Sequence, residues 1–139
     1  MKILFTLLTF SLITAFTAQD GSWKIMLNGQ TKLQTATEDE AKNVIHIDIG
    51  SLNRTGALIV IYDKKPLQKG WTRVITVSDS EGELSRHPGN TYRIMNPALR
   101  SMLGADSVLK IYSFATPIDP KQAANIRIRR VHLCTLVFK

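Results

Sequence analysis

Residues 57–62 read ALIVIY, and this short segment decides the fold class because it is hydrophobic at every position. Successive side chains of a β-strand point to opposite faces of the sheet, so an uninterrupted hydrophobic run is typical of a strand covered on both faces. The sequence therefore predicts a β-rich core with residues 57–62 as a central strand.

The segments on both sides of this central strand are also short and β-rich, and Gly, Pro, Asn and Asp residues separate them. Asn28-Gly29 is the strongest of these separators, because this pair favours the tight turn of a β-hairpin. Asn96 and Asp119 are each followed by proline, which predicts the caps of two short helices. The expected strands cover residues 23–27, 31–35, 44–49, 57–62, 71–77, 91–95, 108–114 and 126–138.

This pattern of elements predicts the architecture. About seven to nine short strands at near-regular spacing, with little helix between them, are typical of β-sandwich and Greek-key folds. A parallel α/β fold is disfavoured because no strong amphipathic helix separates successive strands. The 139 residues suit one domain. We therefore predict an all-β fold, a single β-sandwich or Greek-key-like domain over residues 19–139 with one or two short helices.

The first 18 residues, MKILFTLLTFSLITAFTA, have the layout of a secretory signal peptide. Lys2 supplies the positive charge, residues 3–16 form the hydrophobic region, and small residues follow. This run is shorter than the roughly 20 residues that cross a bilayer, and no second run of that length follows. We expect a secreted or periplasmic protein with no lipoprotein cysteine and no transmembrane segment in its mature chain. Cleavage would remove Lys2 and lower the net charge from +7 to +6.

Sequence motifs of catalysis are missing. The chain contains no Gly-x-Ser-x-Gly elbow, no His-Glu-x-x-His pair and no glycine-rich phosphate loop. Its single cysteine excludes an internal disulfide and a multi-cysteine zinc site. We therefore expect a protein that is not an enzyme, without catalytic residues, cofactor or metal.

Four residues support an alternative interpretation, a small hydrolase or a metal-binding protein. His46 and Asp48 lie two positions apart on one expected strand, as do His132 and Cys134 on another, so each pair should share a face. If those two strands were neighbours, a site with His and Cys ligands would be possible. The simpler interpretation is that Cys134 is a small buried residue of the core, because an unpaired thiol is unusual in an exported protein.

Basic residues outnumber acidic ones, and an arginine cluster begins the last expected strand. Arginine side chains beside an aromatic ring can hold a carboxylate, sulfate or phosphate group. An exported protein rarely meets nucleic acid, and no nucleic-acid-binding motif is present, so an anionic glycan or a lipid headgroup is the expected ligand. The simpler interpretation is that the arginines provide solubility and pair with acidic residues at the surface. The candidate ligand-binding residues are Arg73, Lys110, Tyr112, Arg127, Arg129 and Arg130.

The leading functional hypothesis is an exported, non-catalytic β-sandwich that binds either a partner protein or an anionic ligand of the cell envelope. The hydrophobic run at residues 126–138 suggests one route to a protein partner, because an exposed edge strand can accept a strand from another chain. Trp23 and Trp71 are expected to anchor the sheets in preference to forming a platform for sugars. Trp71 follows the Lys69-Gly70 loop end, which leaves the platform open at that position.

Overall fold

The computed structural model describes residues 21–64 and 67–139, so the predicted signal peptide at residues 1–18 lies outside the described residues. Nine strands and two short helices occur in the described part of the chain. Helix α1 covers Asn96–Ser101, helix α2 covers Pro120–Ala123, and a single 3-10 turn covers Ile49–Ser51. Strands β1 to β9 are Ser22–Leu27, Gln30–Thr35, Val44–Ile47, Ala57–Asp63, Trp71–Asp79, Gly82–Pro88, Thr91–Met95, Val108–Pro117 and Val131–Phe138.

The strands form two sheets whose inner faces share one hydrophobic core, which confirms the predicted β-sandwich-like fold. The strand order is β2-β1-β4-β7 in one sheet and β3-β9-β8-β5-β6 in the other. Strand β4 contains the ALIVIY segment and lies between β1 and β7, as predicted for a central strand. Its Leu58 and Val60 are fully buried in the core, whereas Ile59 and Ile61 are half-buried on the outer face. The outer face of β4 is therefore only partly buried.

The β1–β2 hairpin turns at Asn28-Gly29, as the sequence predicts. The φ angles of Asn28 and Gly29 are 51° and 81°, the left-handed values that the tight two-residue hairpin turn requires. The backbone N–H of Asn28 also donates to the carbonyl oxygen of Ala57 at 3.0 Å. The turn is thus fixed to the start of the central strand.

Both helices are short. Asp119 caps α2 as predicted, because its carboxylate accepts a hydrogen bond from the backbone N–H of Lys121 at 3.0 Å. The prediction for α1 is wrong: Met95 occupies the cap position, and buried Asn96 instead donates from Nδ2 to Oδ1 of Asn28 at 2.9 Å. In the part of the chain that the structure describes, no helix is long and apolar enough to cross a membrane.

Trp23 joins the two sheets inside the core. Its indole Nε1 donates to the carbonyl oxygen of Leu133 in β9 at 2.9 Å, and its ring stacks on Tyr62 with 5.9 Å between centroids. This bond matters because a buried donor without a partner costs about 1–3 kcal/mol. Trp23 therefore anchors its sheet, as its sequence pattern predicts.

Three predictions about the second sheet are wrong. Strand β6 is not among the expected strands, because its mostly exposed side chains show no hydrophobic alternation. The last strand begins at Val131 and not at residue 126, so an irregular segment, residues 124–130, precedes it. Strand β9 also has β3 on one side and β8 on the other, so it offers no free edge to a partner strand.

Candidate functional site: a basic cleft

A cleft of about 210 Å³ opens at the end of the sandwich where β4 and β8 finish and β5 begins. We call it the basic cleft, because four of its lining residues are cationic and none of the described ones is acidic. Aromatic and aliphatic side chains complete its walls. The lining residues are Lys64, Arg73, Arg127 and Arg129 together with Tyr62, Trp71, Phe114, Ala115, Ile126, Ile128 and Val131.

Arg73 is the buried cation of the basic cleft, with 4% of its surface exposed. Arg73 lies two positions before the fully buried Ile75 in strand β5, so both side chains are on the inner face of the sheet. Its guanidinium carbon lies 4.0 Å from the ring centroid of Tyr62, and Nη1 donates to Oγ of Ser113 at 3.0 Å. A guanidinium stays protonated in proteins, so this charge is permanent. Where water is largely excluded, such a charge attracts an anion more strongly than an exposed one.

Arg127 and Arg129 reach the basic cleft from the irregular segment before β9. Both are exposed, and Nη2 of Arg129 lies 3.0 Å from Oε2 of Glu38. An exposed ion pair of this kind contributes little to stability, so it would yield readily to a bound anion. Ile126 and Ile128 alternate with these arginines and are 39% and 37% exposed. The rim therefore combines cationic and apolar side chains.

Half of the six candidate ligand-binding residues lie in this cleft. Arg130 lies beside it, with its guanidinium carbon 5.4 Å from the ring centroid of Phe114. Lys110 and Tyr112 alternate with the fully buried Ile111 in β8, so they face the outer side of the sheet. The structure does not bring them to the arginines, because the arginine segment is not part of the last strand. The candidates that line the cleft are Arg73, Arg127 and Arg129.

Lys110 and Tyr112 instead surround His132 on the outer face of the five-stranded sheet. The His132 ring meets Tyr112 edge-on at 5.6 Å between centroids, and its Nε2 lies 2.8 Å from Oγ1 of Thr135. Nζ of Lys110 donates to Oε1 of Glu40 at 2.6 Å, and this hydrogen bond lowers the pKa of Glu40 and raises that of Lys110. Burial lowers the pKa of His132, and the positive charge of Lys110 adds to that effect. The nearby carboxylates of Glu40 and Glu38 oppose it.

The lowered pKa of His132 predicts a loss of stability in acid. The unfolded chain binds a proton near pH 6.5, whereas the folded protein resists protonation to lower pH. The free energy of unfolding should therefore fall as the pH drops below about 6.5, by up to about 1.4 kcal/mol per pH unit. Urea unfolding at several pH values should show that the free energy of unfolding falls less in acid for His132→Gln than for the wild type. An equal loss in that variant and in the exposed control His46→Gln would contradict the assignment.

His46 and Asp48 do not form a joint site. Strands β3 and β9 are neighbours, as the metal interpretation required, yet Asp48 lies beyond the end of β3. There its Oδ1 accepts a hydrogen bond from the backbone N–H of Gly50 at 2.9 Å, while His46 remains exposed. Among the described residues, no group of three or more His, Cys, Asp or Glu side chains is placed to hold a metal ion.

His132 and Cys134 do not share a face, although they are two positions apart. A bulge in the β8–β9 pairing sets His132 opposite Tyr112 and Cys134 opposite Ile111. Ile111 and Tyr112 are consecutive residues of a strand, so they face opposite sides of the sheet. Cys134 is fully buried in the core, which confirms its interpretation as a core residue. Burial raises the pKa of its thiol far above the range of reactive cysteines.

We expect the thiol of Cys134 to be unreactive in the folded protein. The thiolate is the reactive form, and burial both excludes reagent and suppresses that form. A colorimetric disulfide reagent should leave the thiol unmodified in native buffer and should release one equivalent of product in urea. The variant Cys134→Ala serves as the blank in both solutions. Rapid modification in native buffer would show that the thiol is accessible.

A second depression, of about 290 Å³, adjoins the basic cleft. We call it the Asn90 depression, after a residue that lines it and not the cleft. Lys64, Trp71 and Arg73 line both spaces. Lys64 and Asn90 are not among the site residues expected from the sequence, because each lies in a loop and only the strand topology brings them together. The described lining of the depression consists of Lys64, Leu67, Trp71, Thr72, Arg73, Gly89 and Asn90.

The protein is thus a β-sandwich-like domain with a cationic cleft at one end. Comparisons with protein-family models, with curated proteins and with solved structures find no match to the chain. Its function is therefore inferred from the chemistry of the cleft.

Proposed function

We propose that this protein is exported and acts outside the cytoplasm, without catalysis, by binding an anionic ligand in the basic cleft. The observation that carries the proposal is the 4% exposed Arg73, which lines a cleft shared with Lys64, Arg127 and Arg129. A carboxylate, sulfate or phosphate group that enters the cleft would receive charge-assisted hydrogen bonds from these side chains. The signal-peptide pattern of residues 1–18 supports export.

The size of the cleft restricts the ligand. Its volume of about 210 Å³ lies below the range of about 300–1,000 Å³ typical of sites for drug-sized ligands. One charged group with a small ring attached would therefore fill it. Anionic glycans and lipid headgroups of the cell envelope offer such groups, and so does an acidic side chain of a partner protein.

The double variant Arg127→Gln/Arg129→Gln tests the proposal. Titration of the mature protein with glucuronate or inorganic sulfate, followed by the shifts of backbone amide resonances, should show saturable binding around the basic cleft. Glucose should produce no shifts. The double variant should bind both anions at least about tenfold more weakly, because two charge-assisted contacts are lost. Added NaCl should weaken binding to the wild type.

The matched control is Arg54→Gln/Arg93→Gln, which removes the same charge from two exposed residues that do not line the cleft. This control should bind glucuronate as the wild type does. Equal losses in both double variants would show that only net charge matters. Absence of saturable shifts with either anion would overturn the proposed function.

A further inference from the structure

We infer that the ligand is an acidic oligosaccharide, with its acidic sugar in the basic cleft and the adjoining neutral sugar in the Asn90 depression. This inference rests on the proposed function, because it assigns the ligand class of the same site. The inference adds a second subsite, the Asn90 depression. It also assigns to Trp71 a contact with the ligand in both subsites.

The basic cleft and the Asn90 depression are continuous. Lys64, Trp71 and Arg73 line the basic cleft and also the Asn90 depression, so no other element separates them. Volumes of about 210 and 290 Å³ make each of them a space for one small ring. A ligand of two linked rings would occupy both, whereas an isolated anionic group would fill only one.

The basic cleft and the Asn90 depression differ in the charge of their lining residues. Arg127 and Arg129 line only the basic cleft among the two described linings. The Asn90 depression shares the cations Lys64 and Arg73 with the cleft. Its further lining includes Asn90 and Thr72, whose side chains are neutral hydrogen-bonding groups. An anionic group thus favours the first space and uncharged hydroxyl groups favour the second.

Trp71 is half-buried and lies at the junction of the basic cleft and the Asn90 depression. An indole ring offers a large apolar surface with one N–H donor, so it can pack against the C–H face of a sugar ring. Trp23, in contrast, is buried in the core and is 3% exposed. The headgroup of phosphatidylglycerol has no ring that could pack against Trp71, so the position of Trp71 favours the glycan.

The experiment compares four probes on the mature protein: glucuronate, a disaccharide of glucuronate linked to glucose, the neutral disaccharide cellobiose, and vesicles containing phosphatidylglycerol. The acidic disaccharide should bind at least about tenfold more tightly than glucuronate, because it gains contacts in the second space. Cellobiose should bind more weakly than both. Calorimetry measures the affinities of the three soluble probes. Sedimentation measures binding to the vesicles.

Two variants test which residues cause the tighter binding of the acidic disaccharide. Asn90→Ala should reduce the affinity for the acidic disaccharide towards that for glucuronate, while leaving glucuronate binding unchanged. Trp71→Ala should lower the affinity for the disaccharide, and Trp71→Phe should retain most of it, since phenylalanine keeps an aromatic surface. Circular dichroism checks that each variant is folded, and the phenylalanine variant keeps the test valid if the alanine variant is not.

Each other outcome overturns the inference in a distinct way. If glucuronate binds and the acidic disaccharide binds no more tightly, the second subsite is wrong and the proposed function stands. If vesicles bind through Arg127 and Arg129 while the disaccharide does not bind, the ligand is a lipid headgroup. If no anionic probe binds, the proposed function fails and this inference fails with it.

Discussion

Replacing Arg73 by methionine should weaken the binding of glucuronate in the basic cleft by about ten- to hundredfold while the protein remains folded. Arg73 is the buried cation of the cleft, where its charge acts at low effective dielectric constant. A hydrogen bond to a charged group contributes about 1.5–3 kcal/mol. This corresponds to a loss of about ten- to hundredfold in affinity. The loss should exceed that caused by either exposed arginine alone.

The fold should tolerate this change. Methionine has a similar length, and its sulfur can pack against the ring of Tyr62, where the guanidinium carbon now lies at 4.0 Å. The variant loses a cation–π contact and the hydrogen bond to Ser113, but it also loses the cost of burying a charge. These contributions oppose each other, so we expect the free energy of unfolding to change by less than about 1 kcal/mol.

Arg93→Met is the matched control for this prediction. Arg93 is exposed in β7 and does not line the cleft, so the substitution changes the net charge equally. Calorimetric titration with glucuronate and urea unfolding should be measured on both variants. Equal weakening in the two variants, or unchanged binding in Arg73→Met, would remove Arg73 from the site.

Trp23→Ala should have the largest effect on stability. It deletes a buried aromatic ring and the hydrogen bond from Nε1 to the carbonyl oxygen of Leu133. Loss of a large buried aromatic side chain costs about 3–5 kcal/mol. The total stability of a domain of this size is about 5–15 kcal/mol, so the variant should be partly or wholly unfolded at room temperature.

Trp23→Phe separates the ring from the hydrogen bond. Phenylalanine keeps the stacking surface against Tyr62 but leaves the Leu133 carbonyl without its donor, at a cost of about 1–3 kcal/mol. Leu84→Ala, at a residue that is 44% exposed in β6, should cost less than about 1 kcal/mol. Urea unfolding followed by circular dichroism gives this order of stability. A Trp23→Ala protein as stable as Leu84→Ala would exclude the contact between sheets as a source of stability.

Local periodicity was sufficient to predict the sandwich. The ALIVIY segment is a strand because six consecutive hydrophobic residues can be buried without exposing a polar side chain. Asn28-Gly29 forms a hairpin because both residues tolerate positive φ angles. These features depend on residues close together in the chain, and the sequence displays them directly.

The candidate site depended on features that no local pattern displays. Strand β6 lacks hydrophobic alternation because most of its side chains are exposed. The bulge in β9 reverses the expected relation of His132 and Cys134, and the alternation rule does not reveal where a bulge occurs. Arg73 and Arg127 were candidates from the start, yet their meeting with Lys64 at one cleft depends on how three strand ends come together.

The interior position of β9 also constrains the order of events in folding. Its parallel partner β3 covers Val44–Ile47, so most of the described chain lies between two strands that must pair. The five-stranded sheet cannot close until residues 131–138 have left the ribosome and, if the protein is exported, have emerged from the translocation channel. Closing such a long loop before pairing is entropically costly and slows folding. Until then the backbone edges of β3 and β8 that pair with β9 have no partner strand, and such edges can pair with other chains.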